Sequence, residues 1–217
     1  MTLPKPGFIY RHPWAYQLML QAVHGQHLPE RYKKIVEELG NAQSVFEPLC
    51  GPALLPAYLH SGVAYSGFDI NPHFVRYAMS KGRNVCLGDA RTDAPFEVKA
   101  DGVVLVDALH HLHPYEEQQR VVEKAARAGT QKVIICDPFG DRYLDLVKKF
   151  PFAEPLARWF YDWVEQDGPN QSRYDHIITR DTLERRMDDG FGVLRGVSHT
   201  IQQVGPEDLI VTYTLKA

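Results

Sequence analysis

The chain has 217 residues, 44% of them hydrophobic, which suits one α/β domain with a full core and a small cap and does not require a second domain. A formal net charge of -3 and a pI near 6.4 give no general attraction to phosphate backbones, which argues against a nucleic-acid substrate. The three cysteines, Cys50, Cys86 and Cys136, form neither a disulfide framework nor a zinc spacing. Each falls in or just after an expected core strand, where a free thiol acts as a small apolar residue, and a reduced, cytoplasmic setting follows. Lys5 and Arg11 are not followed by an apolar signal region, and no stretch approaches the length of a membrane span, so a soluble chain without a membrane partner is expected.

In chain order, Met1 to Gly7 carries two prolines and is expected as an extended arm. Trp14 to Val23 is dense in apolar residues and predicts a helix, with Pro13 at its first turn. Pro29 to Leu39 places Tyr32, Ile35, Val36 and Leu39 at helical spacing and ends at Gly40. These two helices, with Phe8, Tyr10, Trp14 and Tyr16, make residues 1–43 an aromatic helical segment that either packs on the core or forms a lid over a ligand.

Ser44 to Asp69 reads as a strand, a turn, a short apolar helix over Ala53 to Leu59 and a return strand, which is one βαβ unit. Pro72 to Lys81 is the next helix, stopped by Gly82, and Glu116 to Ala128 is a later one closed by Gly129. Further apolar runs, Val85 to Gly88, Gly102 to Val106 and Val133 to Cys136, supply three more strands. Beyond Asp137 the aromatic stretch from Leu144 to Val164, broken by Pro151 and Pro155, predicts an inserted cap over about 141–175. Asp181 to Asp189 is a helix with Asp181 and Glu184 at capping-box spacing and Gly190 as terminator. Val193 to Val204 and Asp208 to Leu215 read as two strands, joined through Gly205-Pro206 by a turn too short for a parallel crossover, so this pair is antiparallel.

Successive strands end on acids: Glu47, Asp69, Asp89, Asp107 and Asp137. One such carboxylate is commonly a helix cap, but five at near-regular spacing place a site along one edge of a sheet, where α/β proteins bind ligands.

The series VFEPLCG, SGFDINP, VCLGDA and DGVVLVDALHHL, closed by PEDLIVTYTL, resembles the class I S-adenosylmethionine-dependent methyltransferases over about residues 44 to 217. The resemblance implies a Rossmann-like, seven-stranded, mostly parallel sheet with an antiparallel last strand and helices on both faces. Where the family commonly has three glycines after the first strand, this chain has Leu49, Gly51 and Ala53. The resemblance assigns Glu47 and the Leu49-Cys50-Gly51 turn to the methionine part of the cofactor and Asp69 to its ribose. Ile70 is assigned to the adenine face, Asp89 to the adenine amine, the Ala90 amide to a ring nitrogen, and Asp107 with Ala108 to the methionyl region. The chemistry agrees, because a ribose diol, an amine and an ammonium group are donors and carboxylates accept, while no pyrophosphate calls for a glycine-rich cradle.

In the implied sheet order, His110, His111 and Asp137 face the transferring methyl group. A histidine of near-neutral pKa can take a proton from an oxygen or nitrogen acceptor; clustered histidines also orient loops or bind metals, and no metal is expected. The aromatic segments suit a small aromatic or lipid-like metabolite as acceptor. DALHH stands where a nucleic-acid or glutamine amino-methylating chain has an NPPY-like motif. The alternatives are a non-catalytic binding module of the same fold, or a nicotinamide-dependent oxidoreductase, which calls for a GxGxxG turn after the first strand.

Overall fold

The computed structural model describes residues 7–141, 144, 145, 149, 150, 154, 155, 159 and 177–216. Seven strands form one sheet: β1 (Ser44–Pro48), β2 (Ala64–Asp69), β3 (Val85–Leu87), β4 (Ala100–Val106), β5 (Gly129–Pro138), β6 (Ser198–Val204) and β7 (Asp208–Thr214). Their order is β3-β2-β1-β4-β5-β7-β6. β1 to β5 are mutually parallel, and β7 runs antiparallel to both β5 and β6. The strand order reverses between β1 and β4, the crevice where open α/β sheets bind ligands.

The sheet is apolar on both faces. Along β4, Val103 and Leu105 point to one side and Val104 and Val106 to the other; β5 repeats this with Val133 and Ile135 against Ile134 and Cys136. One face is covered by α5 (Tyr115–Ala128) and α6 (Arg180–Asp188), through Val121, Val122, Leu183 and Met187. The other is covered by α1 (Phe8–Arg11), α2 (Pro13–His24), α3 (His27–Leu39) and α4 (Pro72–Ser80). On α3, Leu28, Tyr32, Ile35 and Leu39 form the buried stripe, and Gly40 ends the helix at φ +61°. The first two long helices therefore lie on the sheet itself and share its core.

Four expectations need correction. No α-helix follows β1: only one 3-10 turn forms, Leu55–Ala57. Pro52 and Pro56 remove amide donors, and the left-handed φ of Leu49, Gly51 and Ala53 keeps the chain out of helical geometry. The cap of α6 is Thr179, whose hydroxyl accepts from the Thr182 amide, so Asp181 lies inside the first turn. The strand expected from Val193 begins only at Ser198, after a short 3-10 segment that buries Phe191. Cys86 is exposed, because β3 is an edge strand, whereas Cys50 and Cys136 are buried. The aromatic cap expected over 141–175 lies mostly outside the described residues. No helix among the described residues is long and apolar enough to cross a membrane.

Candidate active site

Two clefts open at the carboxyl ends of the strands and share Leu49, Asp69 and Ile70. The first also takes in Glu47, Cys50, Gly51, Asp107 and His111, and is walled by Tyr10, Tyr16, Tyr32 and Phe74. The second takes in Gly88, Asp89, Ala90 and Arg91. The sequence-predicted acids of β1, β2 and β4 thus meet in one cleft, and that of β3 lies in the adjoining one. Ala108, His110 and Asp137 line neither: Ala108 sits in the core with Leu105 and Leu109, and His110 pairs with Asp137.

Asp69 organises the junction. Its Oδ2 accepts from the Gly51 amide at 2.8 Å and its Oδ1 from the Asn71 amide at 2.7 Å. Asn71 then caps α4, accepting from the His73 amide, and donates to the Tyr10 carbonyl at 2.7 Å, which ties α1 to the end of β2. The turn after β1 is the second organiser: Leu49, Gly51 and Ala53 all adopt φ +53°. The backbone follows a left-handed path at alternate residues with only one glycine to ease it, and Arg83 donates to the Pro52 carbonyl at 2.5 Å across the turn.

The buried acids differ in charge state. Glu47 is 3% exposed and accepts from the Tyr65 hydroxyl at 2.5 Å. Burial pushes its carboxyl up to about 8, against the opposing pull of the Tyr65 hydrogen bond and Arg83. Asp107 has φ +51°, and its Oδ1 accepts from Arg31 at 2.5 Å. Burial works to raise Asp107, but Arg31 and His24 prevail and hold it below the usual carboxylate range. Asp137 is raised well above that range, first by burial and then by Asp107. Its Oδ2 accepts from the His110 amide at 3.0 Å, and His110 Nδ1 lies 2.9 Å from its Oδ1. The His110 ring lies against that of His111, with centroids 4.1 Å apart, and His111 reaches the cleft. Asp89, at the sheet edge, is paired with Arg91 at 2.6 Å and is lowered chiefly by that side-chain bond.

Arg31, Tyr65 and Asn71 were not singled out from the sequence. Arg31 carried the clearest signal, since a charge falls on the stripe that otherwise holds Leu28, Tyr32, Ile35 and Leu39.

The seven-stranded sheet with its antiparallel last strand, and the crevice between β1 and β4, are those of the class I S-adenosylmethionine-dependent methyltransferase fold. Residues 47–135, from β1 into β5, match the family model described as a methyltransferase domain. No curated protein sequence matches the chain. Among solved structures, magnesium protoporphyrin IX methyltransferase from Synechocystis PCC 6803, with bound S-adenosylhomocysteine, is similar at 17% identity and a TM-score of 0.61, over 86% of this chain and 83% of that one. The methyltransferase domain of bacterial CtHen1-CN is similar at 14% identity and a TM-score of 0.64, over 88% and 100%. The N-terminal domain of EvdMO1, solved with S-adenosylhomocysteine and D-fucose, is similar at 14% identity and a TM-score of 0.57, over 88% and 84%. At these identities the likenesses bear on the fold.

Proposed function

We propose that this chain methylates a small aromatic or lipid-like metabolite, with the cofactor extended across the two joined clefts. The observation that carries this reading is the junction at Asp69, where an acid-lined cleft with tyrosine walls meets a second cleft at the β3 edge. The donor set fits the group. Glu47 and Asp107 accept from the α-ammonium, and the Leu49-Cys50-Gly51 turn carries the methionine part. Asp69 accepts from the ribose hydroxyls, Ile70 packs on the adenine face, Asp89 accepts from the adenine amine and the Ala90 amide reaches a ring nitrogen. S-adenosylmethionine, when bound, supplies a methyl group already activated on a sulfonium, so the protein's task is largely alignment and exclusion of water.

On the acceptor side, His111 takes the proton of a hydroxyl or amine acceptor, while Asp137 fixes His110, whose ring packs against His111. Tyr10, Tyr16 and Tyr32 wall the cleft with surface that is apolar along the ring and polar at the tip, so residues 7–43 both pack on the sheet and bound the cleft. A chain of net charge -3 suits a small metabolite rather than a nucleic acid.

Calorimetry with S-adenosylmethionine, S-adenosylhomocysteine and NADH tests the assignment. Binding of the first two alone is expected; binding of NADH alone, or of none, overturns it. A metabolite screen with methyl-labelled cofactor then identifies the acceptor, and transfer only to polymeric nucleic acid would overturn the small-molecule reading.

A further inference from the structure

Arg31 is wholly buried at mid-helix in α3. Its guanidinium contacts four elements: Asp107 Oδ1 at 2.5 Å beyond β4, His24 Nε2 at 3.0 Å on α2, Cys136 Sγ at 3.6 Å on β5, and Asp208 Oδ2, 3.3 Å from Nε, at the start of β7. His24 Nδ1 closes the ring at 3.1 Å from Asp208 Oδ2. The ligand atoms of His24, Asp107 and Asp208 lie within 4.8 Å of one another, a grouping suited to a cation, and the guanidinium supplies that cation. An isolated buried charge is expensive, and a well-packed apolar residue in its place is often as stable or more so, so packing alone gives no reason for an arginine here.

Of Arg31's partners, Asp107 alone lines the acid-lined cleft. One oxygen of Asp107 is tied to Arg31, and the other has no hydrogen-bond partner among the described residues. We infer that Arg31 is a positioning residue for the cofactor: it grips one oxygen of the Asp107 carboxylate and orients the group so that its second oxygen can accept from the ammonium group at the methionyl end. This rests on the reading that the cleft takes that end of S-adenosylmethionine. The neighbouring acids support it. Burial drives Glu47 and Asp137 upward, whereas Asp107, at the same end of the sheet, is held down by Arg31 and His24 against its own burial. Asp107 is therefore the one of the three whose surroundings favour its charge, and α3 becomes part of the cofactor site through it.

Calorimetric titration of the full-length chain with S-adenosylhomocysteine, from pH 5.5 to 8.5, tests this without any acceptor. Arg31→Met, checked for folding by circular dichroism, is expected to bind at least 30-fold more weakly and to gain a pH dependence, with affinity recovering as Asp107 ionises at higher pH. Arg31→Lys, which keeps the charge but not the guanidinium fork, is expected to bind more tightly than Arg31→Met and with less pH dependence. Should Arg31→Met not fold, Asp107→Asn in the otherwise unchanged chain carries the test, with the same 30-fold loss expected. Folded Arg31→Met with wild-type affinity and pH profile, or Asp107→Asn with wild-type affinity, overturns the inference while leaving the cofactor site intact. Failure of the wild-type chain to bind overturns the reading of the cleft and this inference with it.

Discussion

The two ends of the cleft use the same residue type under different physics. At the β1, β4 and β5 end, Glu47 and Asp107 line the cleft while Asp137 is buried outside its lining, and their charge states depend on burial and on which has a cation beside it. At the β3 edge, Asp89 is about one-third exposed and paired with a surface arginine. In sequence the four are alike, an acid at or just past a strand end. Position in the sheet separates them, central strands being covered on both faces while an edge strand meets solvent, so pH should act on cofactor binding mainly through the covered end.

The largest effect is expected where the ends meet. Asp69→Ala removes the carboxylate assigned to the ribose and frees the Gly51 and Asn71 amides. With charge-assisted hydrogen bonds worth ~1.5–3 kcal/mol each, cofactor affinity should fall by about 100-fold or more. Calorimetry on the folded variant reads this directly, and unchanged affinity would break the comparison at its joint. Next in size is Asp137→Asn, which leaves both imidazoles in place but loosens the one it orients. The turnover number should drop by roughly 10–100-fold while S-adenosylhomocysteine binds as in wild type. A matching loss of cofactor affinity would move Asp137 from the acceptor side to the cofactor side.

The covered end also has a pH signature. The folded chain keeps the Glu47 proton up to about pH 8, whereas the unfolded chain releases it near 4.5. Unfolding between these values therefore releases a proton, and the stability present below pH 4.5 is lost as pH rises through the window, by at most about 1.4 kcal/mol per pH unit. Denaturation midpoints measured from pH 5 to 8 should fall for wild type and flatten in Glu47→Gln. The edge should be quieter. Asp89→Asn loses a solvent-screened partner and should weaken cofactor binding by only about 2- to 5-fold with no new pH slope; a loss as large as that of Asp69→Ala would mean that exposure does not divide the two ends.

The strands and their acids were legible because a parallel sheet writes itself as apolar runs, and a chain that must return to the same edge repeats its strand ends. Arg31 was not legible in role, since its partners Asp107 and Cys136 lie 76 and 105 residues away. Helical spacing shows that a charge falls on the buried stripe but not what neutralises it. Cys86 misled for a related reason: an apolar triplet reads the same in a central strand and at an edge. The helix expected after β1 failed because apolar spacing outweighed Pro52 and Pro56, whose missing donors leave only a 3-10 turn.

The glycine-poor turn is the most instructive case, because the backbone keeps a left-handed path at Leu49, Gly51 and Ala53 alike. A non-glycine residue held there is strained by roughly 1–2 kcal/mol. Ala53 and Ala78 are both fully buried, but Ala78 lies inside α4 with ordinary helical geometry. Replacing either with glycine removes one buried methyl and loosens the unfolded chain equally; only at position 53 does it also relieve left-handed strain. Ala53→Gly should therefore destabilise the fold less than Ala78→Gly by about 1–2 kcal/mol in urea denaturation. Equal losses would mean that the turn does not hold this geometry in solution, and the carboxylate of Asp69 would then lack the fixed Gly51 amide against which the centre of the cleft is built.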